Sequence, residues 1–143
     1  MKSSAKVFLD LGRAYENHDE VDKAIEQYSK AASLDSNNAA PLLRLGVLHG
    51  RRQNLASSNA AFDKAEALYK DSQNFEGSSE VFYQRGYLLS QIGRMPEAQS
   101  AAQQSLEVAK VRSVNYRRSF RPNSCGYYKH GSLNESAEHG PSK

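Results

Sequence analysis

Residues 8–31, FLDLGRAYENHDEVDKAIEQYSKA, and residues 42–65, LLRLGVLHGRRQNLASSNAAFDKA, decide the fold when one is laid on the other. Phe8 falls on Leu42, Gly12 on Gly46, Tyr28 on Phe62 and Ala31 on Ala65, the number rising by 34 in every case. Within each stretch the apolar residues recur at helical spacing on both sides of a polar turn, the pattern of two helices that each bury one face. Glycine inside such a helix costs about 1 kcal/mol against alanine, so its return at a fixed place points to close packing on a neighbouring helix. A unit of this size cannot bury its apolar face alone and must stack on its neighbours.

Outward from these stretches, Val7, Phe8, Leu11, Ala14 and Tyr15 predict a first helix over 4–18. Asp19, Glu20 and Asp22 then place acid at the start of the second, where exposed backbone N–H groups favour it. The run DSNN ends that helix, and Pro41 suits the first turn of the third. A polar turn is expected over 51–54, and Leu55 to Tyr69 supply the apolar face of a fourth helix. The third glycine landmark, Gly86, comes six positions later than the offset from Gly12 to Gly46 predicts. Six extra residues are therefore assigned to 69–78, lengthening the fourth helix and the loop behind it. A fifth helix is expected over 79–91 and a sixth over 96–110, with Gly93 and Pro96 marking the turn between them.

The 34-residue helix-turn-helix period, with Phe8, Leu11, Gly12, Tyr15, Ala24, Tyr28 and Ala31 in place, resembles the tetratricopeptide repeat family. A second unit, 39–72, matches at Leu42, Leu45, Gly46, Phe62 and Ala65 and departs at His49, Ser58 and Lys70. The third, 79–112, keeps Phe82, Gly86, Leu89, Ala98 and Ser105, but has Arg85 for the leucine and Ala102 for the aromatic. This longer-period part is similar to repeats of kinesin-light-chain-like adaptors and of bacterial kinase-associated arrays. The resemblance implies an all-α solenoid of three antiparallel helix pairs, a superhelix spanning 1–112. Residues 113–143, without a helical or strand period and rich in Ser, Gly, Asn and Pro, are expected to be a mostly disordered tail. With no polar capping helix visible, either the last helix caps itself or the chain is a piece of a longer array.

The charge balance agrees with that division. Of 19 Lys+Arg and 16 Asp+Glu, 14 and 14 fall in 1–112, leaving 5 and 2 in the tail, so the +3 excess belongs to the tail. With the repeat region neutral, the basic pI is no sign of a nucleic-acid footprint on it, and nucleic acid is not expected as a partner. Tail residues Arg117, Arg118, Phe120, Arg121, Tyr127, Tyr128 and Lys129 mix basic and aromatic character without a platform to orient the rings. No long apolar run predicts a membrane span, and the opening MKSSAKVFLDLG lacks the apolar core of a signal peptide. A cytoplasmic location is expected, with the single Cys125 compatible with a reducing compartment. No phosphate-binding glycine loop, nucleophile elbow or HExxH pattern is present, so no catalytic residue and no cofactor is expected. Cys125, His130 and His139 lack finger-like metal spacing.

The resemblance also implies that the first helix of each unit lines an inner groove. The exposed positions would then be Lys6, Leu9, Arg13, Glu16 and Asn17; Ala40, Leu43, Val47 and Arg51; and Glu80, Tyr83, Tyr87, Ser90 and Gln91. Leu43, Val47, Tyr83 and Tyr87 would form an apolar and aromatic strip, and Arg13, Arg44 and Arg51 would add a preference for an acidic partner. The family's clamp for C-terminal carboxylates is missing, with Leu9, Arg13, Arg44, Glu80 and Gln84 at its places. The expected function is a scaffold that binds a peptide or helix of another protein. The alternative is a fragment of a larger signalling protein, such as a bacterial serine/threonine kinase, whose repeats self-associate through the last helix or dock intramolecularly.

Overall fold

The computed structural model describes residues 2–120, with side chains for 3–114. Six helices follow in order: α1 Lys2–Asn17, α2 Val21–Leu34, α3 Ala39–Arg51, α4 Leu55–Asp71, α5 Phe75–Gln91 and α6 Met95–Phe120. They form the expected all-α solenoid of antiparallel pairs, and no strand occurs among the described residues. Contacts divide the chain into two units, Met1–Ala109 and Lys110–Lys143. α6 is helical to Phe120, past the end at 110 that the sequence suggests. The readings on Arg121, Cys125, Tyr127, Tyr128, Lys129, His130 and His139 lie outside the described residues.

The six residues that break the 34-residue period do not make a longer loop. They extend two helices: α4 has 17 residues against 14 in α2, and α5 has 17 against 13 in α3. The link between α4 and α5 shrinks to 72–74, so α5 starts at Phe75, ahead of the expected 79.

That link has the same geometry as the turns inside the pairs. Asp19, Gln53, Gln73 and Gly93 take φ of 61°, 60°, 55° and 81°. The next residue then returns its N–H to the carbonyl five positions back: Glu20 to Tyr15, Asn54 to His49, Asn74 to Tyr69 and Arg94 to Leu89, all at 2.8–2.9 Å. This is the closing bond of a Schellman-type helix end, and it satisfies a carbonyl that the helix leaves open. Asn54 and Asn74 also cap the following helix by accepting from the N–H of Ser57 and Gly77. From 52 onward the turns fall at 52–54, 72–74 and 92–94, an even step shorter than the helix-pair period, and the core keeps the same step. Ser58, Ala61 and Phe62 of α4, Ser78, Val81 and Phe82 of α5, and Ala98 and Ala101 of α6 are all buried.

The glycine landmarks mark close helix approach, but against different atoms. A Cβ on Gly12 would stand 2.7 Å from the Tyr28 ring, and one on Gly46 would stand 2.6 Å from the Phe62 ring. Both rings are fully buried and have nowhere to retreat. At Gly86 no ring is present, because Ala102 occupies the aromatic position. A Cβ there would meet the Ala98 carbonyl oxygen at 3.3 Å, so backbone approaches backbone. The same pair replaces the apolar contact Ala39–Ala65 by hydroxyls, with Ser105 Oγ donating to the Ser79 carbonyl at 3.0 Å and the two Oγ atoms 2.9 Å apart.

Candidate partner-binding groove

Helix spacing places Val47, Gly50 and Arg51 on one face of α3, and Gln84, Tyr87, Leu88 and Gln91 on one face of α5. With Gln53 and Ile92 from the turns that follow, these residues line a groove of about 540 Å³. Gly50 sets how near the two helices come, since a Cβ there would lie 2.7 Å from Leu88 Cδ2. Tyr87 is 57% exposed and stands in the groove; Tyr83, one turn earlier and 58% exposed, belongs to the same helix but not to the lining.

The expected site residues separate into three groups. Val47, Arg51 and Tyr87 come together in the groove. Leu9 and Leu43, expected to be exposed, are buried instead. Leu9 packs in a core cluster with Tyr28 and Leu48, and Leu43 packs with Phe62 and Val81. In so short an array these positions face neighbouring helices, and apolar burial keeps them from solvent. Arg13 and Arg44 lie away from the lining, and all three expected arginines pair within the chain: Arg13 with Asp10 at 3.5 Å, Arg51 with Asp19, and Arg44 with Glu16.

Arg44 is the most firmly held of them. Glu16 accepts from Arg44 Nε at 3.2 Å, pairs again with Nη2, and accepts from the Tyr28 hydroxyl at 2.8 Å. Burial first, and then the bond to Glu16, raises the Tyr28 phenol above its ordinary value of 10.0. Burial opposes the Arg44 charge, but the hydrogen bond and charge of Glu16 outweigh it and raise its pKa. Arg52 pairs with Asp22 at 2.6 Å beside this network. The corresponding joint between α4 and α5 is built differently: Arg85 lies 5.6 Å above the Phe62 ring centre and reaches Asp63 at 2.6 Å. The Nε of Arg85 is buried without a hydrogen-bond partner.

Gly50, Gln53, Leu88 and Ile92 are groove residues that sequence reasoning did not single out. The available signal was a second glycine four positions after Gly46, which leaves one side of α3 open to another helix. Among the described residues no cluster of His, Cys, Asp or Glu could hold a metal ion. No described helix is long and apolar enough to cross a membrane.

A family model, "Tetratricopeptide repeat", matches residues 5–38. No curated protein matches the sequence. Among solved structures, the second TPR of Spaghetti (RPAP3), bound to an HSP90 peptide SRMEEVD, is similar with a TM-score of 0.63 at 20% identity, over 75% of this chain and 94% of that one. The crystal structure of MamA is similar with a TM-score of 0.65 at 20% identity, over 79% of this chain and 63% of that one. Residues 5–38 thus match the tetratricopeptide repeat model, and the likeness of the longer chain to these structures is one of fold.

Proposed function

We propose that this chain is a protein-interaction scaffold whose α3–α5 groove holds a segment of another protein. The observation that carries the reading is Tyr87, largely exposed beside Val47, Leu88 and Ile92 in a groove that nothing in the described chain fills. A tyrosine offers a large amphipathic contact at little entropic cost, and aromatic anchors in pockets carry most of the energy of such interfaces. A similar fold that holds a peptide supports the reading.

The test is a selection of a random twelve-residue peptide-display library on the whole chain. Enriched peptides should lose about 30-fold in affinity on Tyr87→Ala, the size of an aromatic hot spot near about 2 kcal/mol. Thermal midpoint and helicity should not move, since the side chain is exposed. Affinity unchanged by this substitution would remove the groove as the site.

Leu106, 58% exposed on α6, favours self-association as a second reading. Light scattering over a concentration series checks it, and a constant monomer mass rules it out.

A further inference from the structure

Resting on that reading, we infer that the groove selects an uncharged segment with aliphatic side chains, recognised through its backbone amides, and rejects acidic segments ending in a free carboxylate. The polar groups of the lining, apart from one arginine and the Tyr87 hydroxyl, are the amides of Gln53, Gln84 and Gln91. Each glutamine amide offers both a donor and an acceptor, the complement of a peptide unit. Gln84 spends its Nε2 on Glu80 at 2.7 Å, which leaves its carbonyl oxygen. Gln53 and Gln91 make no side-chain hydrogen bond among the described residues, so both ends of each amide are open to a ligand.

The one cation in the lining, Arg51, already faces Asp19. A ligand carboxylate brought to that guanidinium meets a second carboxylate at the same place, and gives up its hydration for a shared partner. Nor do the cations next to lining residues in the chain help. Arg52, between Arg51 and Gln53, pairs with Asp22, and Arg85, beside Gln84, is held by Asp63 and the Phe62 ring. An uncharged segment meets none of these obstacles. Its aliphatic side chains can cover Val47, Leu88 and the partly exposed Ile92.

The test uses the whole chain, the peptides enriched from the random library, and the heptapeptide SRMEEVD as free acid and as amide. Enriched peptides should have a net charge within about one of zero and two or more large aliphatic residues. Their affinity should change less than about threefold between roughly 0.05 and 0.5 M salt, because screening acts on charge pairs and not on apolar contact. Either form of SRMEEVD should bind at least about 30-fold more weakly. Enrichment of acidic peptides whose affinity falls with salt and with Tyr87→Ala would overturn this inference while leaving the groove as the binding site. Enriched peptides indifferent to Tyr87→Ala would overturn both.

Discussion

Where α2 meets α3, residues 35–38 link the helices, and the first pair is tied to the second by charge: Glu16 holds Tyr28 and Arg44, Asp19 holds Arg51, and Asp22 holds Arg52. Where α4 meets α5, residues 72–74 link them in a left-handed turn, and the tie joins a ring to a single ion pair, with Arg85 laid over Phe62 and paired to Asp63, and Leu88 set into the notch of Gly50. The two joints occupy corresponding places in the repeat, and the residues correspond too. Tyr28 answers to Phe62, and Glu16 answers to Gly50 at the same offset, so the hydroxyl is present only where a carboxylate stands to receive it. A repeat keeps its geometry through either chemistry, provided that both members of each contact change together.

Breaking one member alone should therefore cost more than exchanging both. The largest effect is expected for Glu16→Ala, which leaves a buried phenol and a half-buried guanidinium without their acceptor. A loss of about 3 kcal/mol in denaturant unfolding is the expected size for a partly exposed pair of this kind. Phe62→Tyr comes next, at about 2 kcal/mol, because its hydroxyl would arrive where Gly50 and Leu88 offer no carboxylate. A stable Phe62→Tyr protein would show that the second joint tolerates the chemistry of the first.

Tyr28→Phe is expected to cost about 1 kcal/mol at neutral pH, the net worth of one hydrogen bond. It should also change the alkaline limb of stability. The Tyr28 phenol titrates higher when folded than its unfolded value near 10.0, so its contribution is fully present below pH 10 and is lost as pH rises toward the folded value. The difference in unfolding free energy between the wild type and Tyr28→Phe should be flat up to about pH 9.5 and shrink above it. The smallest effect, within about 0.5 kcal/mol, is expected for Ser79→Ala with Ser105→Ala, which recreates the alanine contact of the second pair.

The first two pairs were legible in the sequence because a glycine and the ring that covers it recur together at one fixed offset, a signal carried by residue types that few other contexts require. The shorter, single-helix recurrence from α4 onward was harder to see. It is carried by turn residues and small buried side chains, and the ring that would have announced it is Ala102 in the last helix. The expectation for Val47, Arg51 and Tyr87 came from the family resemblance, and all three line the groove, each at helical spacing from the other lining residues of its own helix. Leu9 and Leu43 were misplaced because exposure at an apolar position depends on which neighbouring helix covers it. The arginine pairs, apart from Arg13–Asp10 and Arg94–Glu97, join residues far apart in the chain and depend on how one helix is set against another.

The shared turn at 52–54, 72–74 and 92–94 bears on how a chain of this kind lengthens. Its increment is a single helix with its turn, not the helix pair. Duplicating 72–91 would repeat that turn at the same step, so length could grow by one element at a time, at the cost of one new joint between α5 and its copy. An odd number of such additions would reverse the direction of every helix that follows, exchanging the inner row of side chains for the outer one. Growth by single helices would thus alter which surface is offered for recognition without changing a residue of it.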